Sequence, residues 1–114
     1  MQNQQLVDFV IDKIEDMKGR DIQSLNVSEQ STITDTMIIC SGNSKRHVKS
    51  IADNVFREAR LAELEVIGME GIDESEWVLL DLGDVVLHVM QDSARDFYQL
   101  EKLWAPSHSE SKAG

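Results

Sequence analysis

Apolar residues near the start of the chain fall at Leu6, Val7, Val10, Ile11, Ile14 and Met17, and the intervening positions are mostly Asp, Glu and Lys. That spacing predicts an amphipathic helix over residues 3 to 18, stopped by Gly19. In "DIQSLNV" the pattern changes to an imperfect alternation of Ile22, Leu25 and Val27 with polar residues, which predicts a strand over 21 to 27. After the polar loop "SEQSTITD", the continuous apolar run Thr36 to Cys40, "TMIIC", suits a strand covered on every side, near the centre of a sheet. From Ser44 a long helical stripe follows through Val48, Ile51, Ala52, Val55, Phe56, Ala59 and Ala62.

"LEVIGM", Leu64 to Met69, alternates again, and "EWVLLDLGDVVLHVM" follows as two strands around a tight turn. The last patterned segment, "DSARDFYQLEKLW", offers Asp92 or Ser93 as N-cap and places Ala94, Phe97, Leu100 and Trp104 on one side of a short helix. The polar end "PSHSESKAG" has no apolar residue larger than alanine and reads as a disordered tail. The expected fold is therefore a single α/β sandwich over residues 1–104, with a mixed five-stranded sheet and about three helices, and a tail over 105–114. A parallel, right-handed crossover is expected between Met37 and Met69.

Parity separates the hairpin into two unlike faces. With a two-residue turn at Gly83-Asp84 or one residue earlier, Val78, Leu80 and Leu82 share a core face with Val85, Leu87 and Val89. The other face collects Trp77, Leu79, Asp81, Val86, His88 and Met90, too apolar for idle surface and too polar for a clean core. Three fates are open to it: cover by one of the chain's own helices, by a second copy, or by a foreign partner. In the last helix Phe97, Leu100 and Trp104 can pack inward, whereas Tyr98 and Glu101 point elsewhere, an aromatic beside a carboxylate that suits a basic, partly apolar partner. Rim placement with solvated polar groups is the bland reading of the same two residues.

Charge supports a basic partner. The 114 residues carry a formal net charge of −10, which repels nucleic acid and anionic lipid and attracts basic protein surfaces. Little direct nucleic-acid binding and no membrane association are expected, and a single cysteine, Cys40, suits a reducing cytoplasm. The small-residue turn in "MIICSGNSKRHVKS" could hold a phosphate at Ser44, Lys45 and Arg46, with His47 and Lys49 nearby, or could be an ordinary turn capped by Ser44. Its single glycine matches neither the P-loop nor the dinucleotide fingerprint. Carboxylates placed to hold a divalent metal against a triphosphate are missing, and His47, His88 and His108 lie apart, so neither a metal site nor a catalytic dyad is expected. No cofactor is implied.

The segments "DIQSLNV", "TDTMIICSGNSKRHVKSIADNV", "GMEG", "EWVLLDLGDVVLHVM" and "ARDFYQLEKLW" together resemble the ribosomal silencing factor family, also called RsfS or Iojap-like, across Leu6 to Trp104. The resemblance implies a nucleotidyltransferase-like fold without catalytic activity. It also implies a cytoplasmic protein that binds the large ribosomal subunit through its ribosomal protein numbered fourteen, blocks joining of the small subunit and represses translation when nutrients are scarce. Trp77 and Tyr98 fall on family positions tied to that interface, and the face argument extends the candidate set to Asp81, His88, Met90 and Glu101. Dimers also occur in the family, so a homodimer is a candidate state. The alternative is a nucleotide-binding or nucleotidyltransferase-like enzyme acting at the SGNSKRH loop.

Overall fold

The computed structural model describes residues 3–29 and 34–98, the last three of these by their backbone alone. Leu100, Glu101, Trp104 and the tail over 105–114 lie outside the described residues, as does the middle of the loop before "TMIIC". The elements run α1 (Asn3–Asp16), β1 (Arg20–Asn26), β2 (Thr36–Gly42), α2 (Lys45–Leu61), β3 (Gly68–Glu70), β4 (Trp77–Asp81), β5 (Val85–Gln91) and α3 (Asp92–Tyr98). The five strands form one mixed sheet in the order β1-β2-β5-β4-β3. Only β2 and β5 are parallel neighbours; the other pairs are antiparallel.

The strand directions follow the expected order, with one difference in placement. β3 runs parallel to β2, as the strand-helix-strand passage predicts, but β5 and β4 stand between them. β3 is also shorter than the alternation of "LEVIGM" suggests, three residues instead of six. Leu64 and Val66 alternate because they pack against the main core, not because they pair with a strand. The ladder starts only where the Ile67 N–H donates to the Asp81 carbonyl at 2.8 Å.

Both long helices end without a glycine in the left-handed position. After α1 the residue at positive φ is Lys18, and the Gly19 N–H donates to the Ile14 carbonyl at 3.0 Å. After α2 it is Glu63, with the Leu64 N–H donating to the Ala59 carbonyl at 2.9 Å. Each end is a Schellman closure, so α1 stops two residues earlier than periodicity predicts and Ala62 becomes the C-cap of α2.

α1 and α2 cover one face of the sheet. Leu6, Val10 and Ile14 of α1 and Val48, Ile51 and Val55 of α2 bury themselves against Ile38, Cys40, Val78, Leu80, Leu87 and Val89. Asn54, buried between the helices, donates its side-chain N–H to the Lys13 carbonyl at 2.9 Å, so its polarity costs little there. On the opposite face a smaller cluster joins Val27, Met37, Ile39 and Met90 to Ala94 of α3. This split also explains the imperfect alternation of β1: Ile22 serves the helix-covered face, Leu25 and Val27 the other.

Candidate functional site

The hairpin register settles which residues share a surface. Trp77 pairs with Met90, Leu79 with His88 and Asp81 with Val86, and the Leu82 N–H donates to the Val85 carbonyl at 2.9 Å. The turn is therefore Gly83-Asp84. Gly83 has φ +88, the conformation a two-residue turn of this kind requires at its first position and a side chain opposes. Asp81 supports the same turn, its Oδ1 accepting from the Gly83 N–H at 2.9 Å.

Across the sheet, one row reads Gln23, Ile39, His88, Leu79, Glu70, and a second reads Leu25, Met37, Val86, Asp81, Gly68. Ile39 and His88 in the first row, and Met90 two residues along β5, are buried on this face. Towards β4 the cover runs out: Trp77, Leu79, Asp81 and Val86 are half-buried and Glu70 is exposed. The candidate residues thus divide. Trp77 and Asp81 reach the surface, whereas His88 and Met90 support that surface from below.

His88 is the polar element of this support. The Trp77 Nε1–H donates to His88 Nδ1 at 2.9 Å, with the rings tilted at 46° and their centroids 5.8 Å apart. Accepting at Nδ1 requires a neutral imidazole, and burial pushes its pKa down from 6.5 to about 4. The indole is thereby held in one orientation by a hydrogen bond that directs its polar atom into the protein. Trp77 also borders a shallow cavity of about 240 Å³ with Glu70, Gly71 and Leu79.

At the SGNSKRH turn the local donors are already engaged. Ser44 caps α2, its Oγ accepting from the His47 N–H at 3.1 Å, and the Asn43 N–H donates to His47 Nδ1 at 3.0 Å. His47 Nε2 lies 2.8 Å from the Met17 carbonyl and so ties the turn to the end of α1. Lys45 and Arg46 are exposed. This wiring gives the turn a structural task and uses the backbone N–H that a phosphate would need. Among the described residues no group of three or more His, Cys, Asp or Glu is placed to hold a metal ion. Cys40 is fully buried, and burial pushes its thiol up to about 12, far from a reactive thiolate.

One charged residue of structural weight, Arg95, has no sequence signal. Its buried guanidinium donates through Nη1 to the Asp21 carbonyl and, at 2.9 Å, to Ser41 Oγ, pinning α3 to the first two strands. The left-handed Asp21 marks the irregularity in β1 that aims this carbonyl. Beside it Arg20 pairs with Asp92, one of the two residues expected to cap α3, which the structure makes its first helical residue. Arg20, Asp21, Asp92 and Arg95 line a polar cavity of about 600 Å³. Tyr98 closes α3 as its last residue, and Glu101 is outside the described residues.

The described residues form a mixed sheet with α1 and α2 on one face and the half-buried strip Trp77, Leu79, Asp81 and Val86 on the other. The family profile described as "Ribosomal silencing factor during starvation" matches residues 1–113. A ribosomal silencing factor RsfS from Haemophilus influenzae is 46% identical over 100 residues, which are 88% of this chain and 98% of that protein. A crystal structure from Chromobacterium violaceum superposes with a TM-score of 0.89 at 40% identity, covering 91% of this chain and 87% of that one. A second, from Bacillus halodurans, gives 0.82 at 38% identity and covers 90% and 95%. A mouse protein named mitochondrial assembly of ribosomal large subunit protein 1 is 29% identical over 101 residues, 44% of its length. The chain belongs to the ribosomal silencing factor family.

Proposed function

We propose that the protein binds the large ribosomal subunit through its ribosomal protein numbered fourteen and sterically blocks association with the small subunit, repressing translation under nutrient limitation. The observation that carries this reading is the half-buried strip Trp77, Leu79, Asp81 and Val86 on the sheet face that α1 and α2 leave open. An aromatic anchor with apolar neighbours and a carboxylate at the rim is the composition of a protein-docking patch. The net charge of −10 favours a basic ribosomal protein over RNA as the surface it meets. The family description, with its silencing during starvation, supports the same role, as does the mouse relative's name.

The action needs no reaction and no cofactor: a bound domain occupies space the small subunit requires. We place the protein in the cytoplasm with the ribosomes; no described helix is long and apolar enough to cross a membrane. Tyr98 and Glu101 are further contact residues in this proposal, and a homodimer is a candidate state. The test is a subunit-joining gradient with purified subunits and added protein. The expected result is loss of joined particles, with the protein migrating beside the large subunit. Joined particles forming to the same extent at saturating protein would overturn the proposal.

A further inference from the structure

We infer that the outward side of α2 is a contact surface for the phosphate backbone of RNA. All five basic residues of this helix, Lys45, Arg46, Lys49, Arg57 and Arg60, are exposed. At about 100° per residue they fall on one stripe about 120° wide, and Lys45 and Arg60 stand about 22 Å apart along the helix axis. Of the two acidic residues of α2, Glu58 lies off the stripe, close enough to Lys13 of α1 to favour its charged form, and the half-buried Asp53 is the single acid within it. Base is thus gathered on one helix of a chain whose net charge is −10.

These cations are not neutralised inside the protein. Among the described residues, ion pairs engage Lys13 and Arg20 but none of the five. Arg57 donates to Asn54 Oδ1 at 2.9 Å, and the Arg60 guanidinium lies 5.6 Å from the Phe56 ring centroid, contacts that hold both side chains without cancelling their charge. Rows of Lys and Arg of this kind bind phosphate oxygens. A protein partner would call for an apolar anchor; within the stripe only Phe56 is apolar, half-buried under Arg60, and the exposed Leu61 lies beyond its edge. The net charge opposes RNA only at long range, since it is screened beyond about 8 Å at physiological salt and a surface in contact feels the local stripe.

Because α2 buries its other side on the sheet face opposite Trp77, the stripe points away from the docking strip and stands or falls separately from it. The test is fluorescence anisotropy of a short labelled RNA duplex with the full chain across a salt series, for wild type, Lys45→Gln/Lys49→Gln and Gln4→Glu/Ser24→Glu. The last pair changes net charge equally, at exposed positions on α1 and β1. Wild type is expected to bind with a Kd of about 10⁻⁵ M, weakening as salt rises. Lys45→Gln/Lys49→Gln should bind about tenfold more weakly and flatten the logarithmic salt slope by about two, while Gln4→Glu/Ser24→Glu should lose less than about threefold. Labelled polyglutamate stands in for an acidic protein and should bind more weakly than the RNA. No RNA binding by wild type at low salt, equal losses in the two variants, or tighter binding of polyglutamate would overturn the RNA surface and leave the docking reading in place.

Discussion

The two faces of the sheet are made by the same strands, yet alternate residues live under different rules. Beneath α1 and α2, Ile38, Cys40, Val78, Leu80, Leu87 and Val89 are all fully buried and all aliphatic or thiol. One residue away on each strand stand Ile39, Trp77, Leu79, His88 and Met90, partly covered by α3 and left half-open towards β4. The first face is constrained by volume alone, so it tolerates nothing polar. The second is constrained by what it supports, so a histidine in its floor is acceptable once a tryptophan above supplies its hydrogen bond. In the proposed function, stability and recognition are thus separated by a single step along the chain.

The largest effect should come from the covered face. Leu87→Ala removes a side chain packed between both neighbouring strands and the helices, and is expected to lower unfolding free energy by about 2 to 5 kcal/mol. Urea titration measures it; a loss below about 1 kcal/mol would blur the contrast between the faces.

The next effect is pH-dependent and belongs to the floor of the open face. His88 takes up a proton near 6.5 when unfolded but only near 4 when folded, so its full contribution is present above pH 6.5 and is lost as pH falls towards 4. At about 1.4 kcal/mol for each pH unit across that window, the loss reaches about 3 kcal/mol. The stability difference between wild type and His88→Gln should shift by this amount between pH 7 and pH 4. A difference that stays constant would show an imidazole that titrates alike folded and unfolded. The smallest effect is expected at the surface: Leu79→Ala, half-buried beside Trp77, should cost about 1 kcal/mol of stability or less.

Much of this division was legible in the residue pattern. The turn at Gly83-Asp84 and the parity of Val78, Leu80, Leu82, Val85, Leu87 and Val89 follow from a strict period of two, because a strand has no other way to present its side chains. The short reach of β3 was not legible, since alternation reports burial and Leu64 and Val66 are partly buried without pairing. Gly19 signalled the end of α1 but not that Lys18 before it takes the left-handed position, and the end of α2 at Glu63 gave no signal because no glycine fills that position. The depth of His88 and Met90 was hidden for a different reason: parity assigns a face but not how much of it a neighbouring helix covers. Arg95 depends on contacts from α3 to strands far away in sequence, which no local motif encodes.

The central claim is that the open face, anchored by Trp77, carries the contact with the ribosome. The most direct measurement is cosedimentation of Trp77→Ala with purified large subunits, run beside a urea titration of the same variant. The account predicts affinity reduced by about 2 kcal/mol, roughly thirtyfold, in a protein that still unfolds cooperatively. A folded Trp77→Ala that sediments with the large subunit as wild type does would contradict it.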